Sequence, residues 1–305
     1  MDKKISKNQQ REDDEETMNL ISSFPSDVDF EGTKLFKYQG CWYNDKTLQA
    51  ILSFQRNFEP QDTDITVASF PKSGTTWLKA LTFAVLERSK HSSDNHNHPL
   101  LLENPHTLVP FFELRLYMQS SKPDLTKISS SRGYSQLMFL SRRLKKVSRT
   151  LLCANQEIEK EKNSLESMFE SFCTGVSYYG PFWEHILSYW TASLQYPKNV
   201  LFLKYEELKT EPHAQLKKLA EFLGCPFTLQ EEESGSVEEI LDLCSFSNLK
   251  NLEINKTGRT PGGVAHKNLF RKGEVGDSKN NLTPEMEKRL DMIIQEKFRG
   301  FDIKF

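Results

Sequence analysis

Short apolar runs alternate along this chain with longer stretches of helical period. Residues 65–70 form an apolar run bounded by turn formers, the pattern of a strand covered on both faces of a sheet. Directly after it Leu78, Leu81, Thr82, Val85 and Leu86 recur at helical spacing, which predicts a helix starting near Thr75. Between the two lies Pro71-Lys72-Ser73-Gly74, a tight loop. Residues 200–204 (VLFLK) predict a further buried strand. The aromatic-rich stretches 164–175 and 181–195 predict helices, as does 213–223, which Gly224 and Pro226 stop. Near the end Thr283 suits a helix cap and Pro284 the first helical position. Met286, Leu290, Ile293, Ile294 and Phe298 give that helix an apolar stripe. Helices alternating with apolar strands predict an α/β fold: a single domain with a central parallel sheet flanked by helices.

Composition narrows the classes. The 305 residues carry 40 basic and 42 acidic side chains, which excludes holding nucleic acid by bulk positive charge. No run of about 18 apolar residues is present, so no membrane-spanning helix is expected. Residues 1–17 are polar and rich in charge, and read as a disordered tail rather than a secretory signal, with the domain over 18–305. Five scattered cysteines without a CxxC pair predict neither a zinc site nor a disulfide framework, and a reduced, cytoplasmic protein. His91, His96 and His98 fall in a polar stretch that reads as a surface loop, and no metal is expected.

The loop carries the chemistry. A helix N-terminus leaves backbone N–H groups unpaired and favours anions. Gly74 permits close approach, the Ser73, Thr75 and Thr76 hydroxyls add donors, and Lys72 adds a full charge. The lysine precedes the glycine and no GK[ST] pair follows, so this is P-loop-like without being the nucleotide-kinase loop. A polar-capped strand-to-helix turn is the plain alternative for any one of these residues. The whole string PKSGTTW after a buried strand points instead to phosphate-like oxygens.

PKSGTTW resembles the 5′-phosphosulfate-binding loop of plant-type cytosolic sulfotransferases, which use 3′-phosphoadenosine-5′-phosphosulfate (PAPS). NPHTLVPFFE (104–113), GPFWEHILSYW (180–190), LFLKYEELK (201–209), LAEFLGCPF (219–227) and RKGEVGD (271–277) extend the resemblance over most of the chain. It implies an enzyme that moves a sulfuryl group from PAPS to a hydroxyl of a small-molecule acceptor, without a metal. Lys72 would then be catalytic, steadying charge on the leaving phosphate. Lys72, Ser73, Gly74, Thr75, Thr76, Trp77, Tyr205, Arg271, Lys272 and Gly273 would hold the nucleotide. Trp77 equally suits packing, and Tyr205 equally suits a half-buried strand end. Phe111, Phe112 and Asn104-Pro105-His106 resemble acceptor-pocket elements and equally fit core packing, and His185 reads as a pocket-wall or core histidine. Ser278 stands where the family usually has tryptophan. The family's dimer pattern is not cleanly present around Lys279 and Thr283, which leaves the oligomeric state open. Flavonoids, steroids, oxidised lipids and desulfo-glucosinolates all remain open as acceptors.

One family element is missing. The family's base is a histidine in a Thr-His-(apolar)-Pro string, and no histidine here has that context. The following strand, with its Cys-Arg-Asn-Pro-Lys-Asp-like end, is also absent. Residues 132–165 read as an aberrant segment with no evident buried strand. Codons permitted for residues 133–141, taken two bases in, encode Leu-Phe-Ala-Thr-His-Val-Pro-Phe, so residues 132 to about 153 are expected to be out of frame. On that reading the cluster Arg142, Arg143, Lys145, Lys146 and Arg149 is no nucleic-acid patch. Loss of a central strand would expose sheet edges and lower solubility. A catalytically impaired relative that binds nucleotide or a partner without turnover is the alternative function.

Overall fold

The computed structural model describes residues 15–61, 64–91, 97–124, 136–141, 162–260, 263–270, 273 and 282–303, the backbone alone for 136–141 and 162–164. Arg271, Lys272, Ser278, Lys279, the basic cluster from Arg142 to Arg149, His96 and most of the expected tail lie outside the described residues. The strands are β1 (Ser26–Val28), β2 (Lys34–Tyr38), β3 (Cys41–Tyr43), β4 (Ile65–Ser69), β5 (Gln136–Ser141) and β6 (Val200–Lys204). The helices that matter below are α1 (Asp45–Asn57), α2 (Thr75–Glu87), α3 (Pro105–Leu108), α4 (Lys162–Thr174), α5 (Phe182–Gln195), α6 (Pro212–Phe222), α7 (Ser236–Leu243) and α8 (Pro284–Lys297). None of the helices described is long and apolar enough to cross a membrane.

The chain forms two compact units. The first takes in Met1–Glu59, Phe111–Pro123 and Lys160–Glu184, and the second the remainder. In the first, β1, β2 and β3 make an antiparallel sheet, in that order. Gln39 and Gly40, with φ of 49° and 86°, supply the two-residue turn that pairs Tyr38 with Cys41. Ile21, Phe36, Leu48 and Leu52 form the core beneath it. Ile21 belongs to a helix over 15–22, so the last three residues assigned to the charged tail are helical instead. Burial of one apolar side chain offers about 1.5–3 kcal/mol, enough to anchor a short polar helix.

The second unit holds the expected parallel sheet, in the order β4-β5-β6. Its core is built from Leu78, Leu81 and Val85 of α2, Leu201 and Leu203 of β6, Leu216 and Leu219 of α6, and Ile240 of α7. Helix boundaries follow the sequence pattern closely. α2 starts at Thr75, and Thr283 caps α8 by accepting from Met286 N at 3.3 Å. One expectation needs correction. The stretch read as lacking a strand supplies β5, paired on both sides: Val67 with Met138, and Met138 with Leu201. Backbone ladders depend little on side-chain identity, and the run QLMFLS is apolar enough for a position between two strands.

Candidate active site

β4 ends at Ser69 and the chain turns through Phe70–Gly74 into α2. Gly74 has φ 104° and ψ 21°, and Lys72 also lies in the left-handed region at φ 67°. Glycine takes that conformation freely, whereas for lysine it costs about 1–2 kcal/mol, a strain that the loop absorbs. No side chain caps α2, so its first N–H groups are open to an anion. Ser73 N donates to Phe70 O at 3.1 Å, which closes the turn. Ser69 Oγ and Thr75 Oγ1 hydrogen-bond across the mouth of the loop.

Two donors here lack an acceptor among the described residues. Ser73 is fully buried, and its Oγ has no hydrogen-bond partner; Trp77 Nε1 is likewise buried without one. An unsatisfied buried donor costs about 1–3 kcal/mol, and neighbouring pairs of them mark a place for an outside acceptor. Lys72 Nζ donates to Asn268 O at 3.1 Å, in the 3-10 turn His266–Leu269 that leads into Phe270.

Other predicted residues converge on the same loop. The Trp77 and Tyr205 rings meet edge to face at 5.6 Å, with Lys209 Nζ over the indole at 5.6 Å. Tyr205 Oη donates to Gly273 O at 3.3 Å. Gly273 has φ 67°, and a Cβ there would fall 2.6 Å from the Phe246 ring. Hence residues 72–77, Tyr205 and Gly273 occupy one neighbourhood. His185 packs edge-on against Phe70 of the loop, ring centres 5.6 Å apart. In the first unit Phe112 joins Phe54, Phe58 and Tyr117 in an aromatic cluster, and Tyr179 Oη donates to Glu113 Oε1 at 3.0 Å. Burial, with the Glu113 charge behind it, pushes the Tyr179 hydroxyl well above its usual range.

Some contacts were invisible in the sequence. His106 of α3 is buried, with Nε2 2.9 Å from Thr76 Oγ1. Lys79 is 1% exposed and donates to Val109 O at 2.8 Å. Burial, then the charges of Lys79, His266 and Lys72, hold the His106 imidazole well below its ordinary pKa, so it is neutral. Lys79 had one visible clue: it is the lone charge between Thr75 and Leu86 on a largely apolar helix.

A strand, a tight loop and an uncapped helix at a parallel-sheet edge, with buried donors and a lysine, are the arrangement with which α/β proteins bind anions. Comparison narrows the class. The family model described as "Sulfotransferase domain" matches residues 62–302. Cytosolic sulfotransferase 7 of Arabidopsis thaliana is 65% identical, covering 96% of this chain and 96% of its own. That alignment runs to 314 positions against 305 residues here, so the relative has positions without a counterpart in this chain. The structure of an Arabidopsis thaliana protein described as a steroid sulphotransferase is 35% identical, with a TM-score of 0.74 and coverage of 94% of each chain. A mouse sulfotransferase complexed with PAP shares the fold at 24% identity, TM-score 0.59, over 88% of this chain and 95% of its own. The chain belongs to the sulfotransferase family.

Proposed function

We propose that this chain transfers a sulfuryl group from PAPS to a hydroxyl group of a small molecule, in the cytosol. The observation that carries this reading is the pair of buried donors without acceptors among the described residues, Ser73 Oγ and Trp77 Nε1, beside the uncapped start of α2. They fit the oxygens of a phosphosulfate, and the PAP complex named for the mouse relative agrees with that choice. PAPS supplies an activated sulfuryl group: its bond to phosphate oxygen breaks as a bond to the acceptor oxygen forms, and the acceptor hydroxyl's proton leaves to solvent.

The residues of the chain divide the remaining work. Lys72 places its ammonium where negative charge grows on the departing phosphate, the charge-stabilising role that pre-positioned cations fill in group transfer. Ser73–Trp77 bind and orient the phosphosulfate through hydroxyl, indole and backbone donors. Tyr205 borders the base, and Arg271, Lys272 and Gly273 take the 3′-phosphate through a guanidinium fork and a close backbone approach. The test is transfer of labelled sulfuryl from PAPS to a panel of hydroxyl acceptors, including steroids and flavonoids. Label in the acceptor, lost in Lys72→Ala, supports the reading; no transfer to any acceptor contradicts it.

A second reading has its own support. The sequence lacks the family's Thr-His-(apolar)-Pro base string, and the relative has positions with no counterpart here. Loss of a general base typically costs about 10²–10⁴ in rate. Tight nucleotide binding without transfer would identify this chain as a binding protein derived from an enzyme.

A further inference from the structure

Helices α2 and α3 face each other through two matched contacts. On α2 the residues are Thr76 and Lys79, one turn apart; on the α3 side they are His106 and Val109, with the same spacing. Thr76 Oγ1 meets His106 Nε2 at 2.9 Å, and Lys79 Nζ donates to Val109 O at 2.8 Å. The start of α3 is tied equally firmly. Asn104 Oδ1 accepts from His106 N at 2.9 Å, Asn104 Nδ2 donates to Asn255 Oδ1 at 2.7 Å, and Asn255 Nδ2 donates to Leu249 O at 2.8 Å. Asn104 and Asn255 are both fully buried. The backbone that carries the imidazole is therefore held in place, and the ring Nε2 meets the phosphosulfate loop at the Thr76 hydroxyl.

A hydroxyl has a single proton, so the direction of this bond matters. If Thr76 donated to the ring, it would have no proton left for an anion at the start of α2. The surroundings favour the opposite sense. The imidazole is neutral, so one ring nitrogen carries hydrogen and the other does not. Ser73 and Trp77, on either side in the same loop, already hold donors without an acceptor among the described residues. We propose that His106 is a positioning residue for the donor nucleotide: its Nε2–H donates to Thr76 Oγ1, which turns the Thr76 hydroxyl proton toward the bound phosphosulfate. This assignment rests on the proposed function, since that reading supplies the anion. Toward the nucleotide, His106 acts through Thr76 Oγ1.

The test combines a tautomer measurement with binding. Imidazole nitrogen NMR on the full chain is expected to show His106 protonated at Nε2; a bare Nε2 overturns the proposal whether or not any nucleotide binds. Calorimetry with 3′-phosphoadenosine 5′-phosphate then reads the consequence. His106→Ala is expected to weaken binding about tenfold, as Thr76→Ala does, because one oriented charge-assisted hydrogen bond is lost. The double variant should be no weaker than Thr76→Ala alone. His106→Gln, whose amide can donate at similar reach, should recover most of the loss, which a role in packing alone would not predict. Wild-type binding matched within twofold by a folded His106→Ala, or losses that multiply in the double variant, overturn this inference and leave the proposed function standing. Absence of wild-type binding overturns the proposed function and this inference with it.

Discussion

Replacing Asn255 by alanine removes the middle of a buried polar chain, and the cost can be worked from its contacts. Asn255 is fully buried, donates to Leu249 O at 2.8 Å and accepts from Asn104 Nδ2 at 2.7 Å. Truncation deprives one buried carbonyl and one buried amide of these partners. Each group so stranded costs about 1–3 kcal/mol, which puts Asn255→Ala at a loss of about 3 kcal/mol. Urea unfolding followed by far-UV circular dichroism measures it as a lower midpoint at constant slope. The two asparagines share one bond, so the double variant Asn104→Ala/Asn255→Ala should lose about 1 kcal/mol less than the sum of the singles. A loss below about 0.5 kcal/mol, within the range of ordinary surface substitutions, or strict additivity in the cycle, would refute the claim that this chain of amides holds α3 in place.

Other outcomes follow from single contacts. Arg88 Nε donates to Glu231 Oε1 at 2.8 Å, and Glu231 also closes a capping box with Thr228. The Arg88 bond is the largest cause that brings the Glu231 carboxyl down to about 2 from 4.5. A depressed folded pKa contributes stability that is fully present above pH 4.5 and is lost as pH falls toward 2. Glu231→Gln should therefore flatten this acid limb of the thermal-melting profile, and an unchanged limb would contradict the pairing. Gly273→Ala forces a Cβ to 2.6 Å from the Phe246 ring at a φ of 67°. A cost of about 1–3 kcal/mol is expected, read as nucleotide affinity reduced about tenfold or more in calorimetry; equal affinity would show that this backbone does not approach the ligand.

The parts legible in the sequence were those that local chemistry dictates. The run 65–70, the PKSG turn and the helical spacing from Leu78 onward gave the strand–loop–helix unit because all its determinants are contiguous. VLFLK declared β6 for the same reason, and Thr283-Pro284 declared the start of α8. The antiparallel sheet escaped notice because β1 and β3 have three residues each, too short for an alternating pattern to stand out. The turn between β2 and β3 uses Gln39-Gly40, a weaker hairpin mark than Asn-Gly. β5 is less legible because its six-residue apolar run lies in a stretch that lacks the family's pattern. At the site, Lys72–Trp77 could be named from the motif, but the strain at Lys72 needs the backbone angle. The Thr76–His106 contact joins residues 30 apart, and Asn104–Asn255 residues 151 apart. Such pairings are set by tertiary packing, and no local pattern reports them.

The central claim is that the loop from Lys72 to Trp77 holds the phosphosulfate end of a nucleotide. Titration calorimetry of the intact chain with 3′-phosphoadenosine 5′-phosphate, wild type beside Lys72→Ala, tests it most directly. The account predicts saturable one-to-one binding by the wild type, weakened about tenfold or more when the ammonium is removed. No binding by a folded wild-type chain, or equal binding by Lys72→Ala, would contradict it.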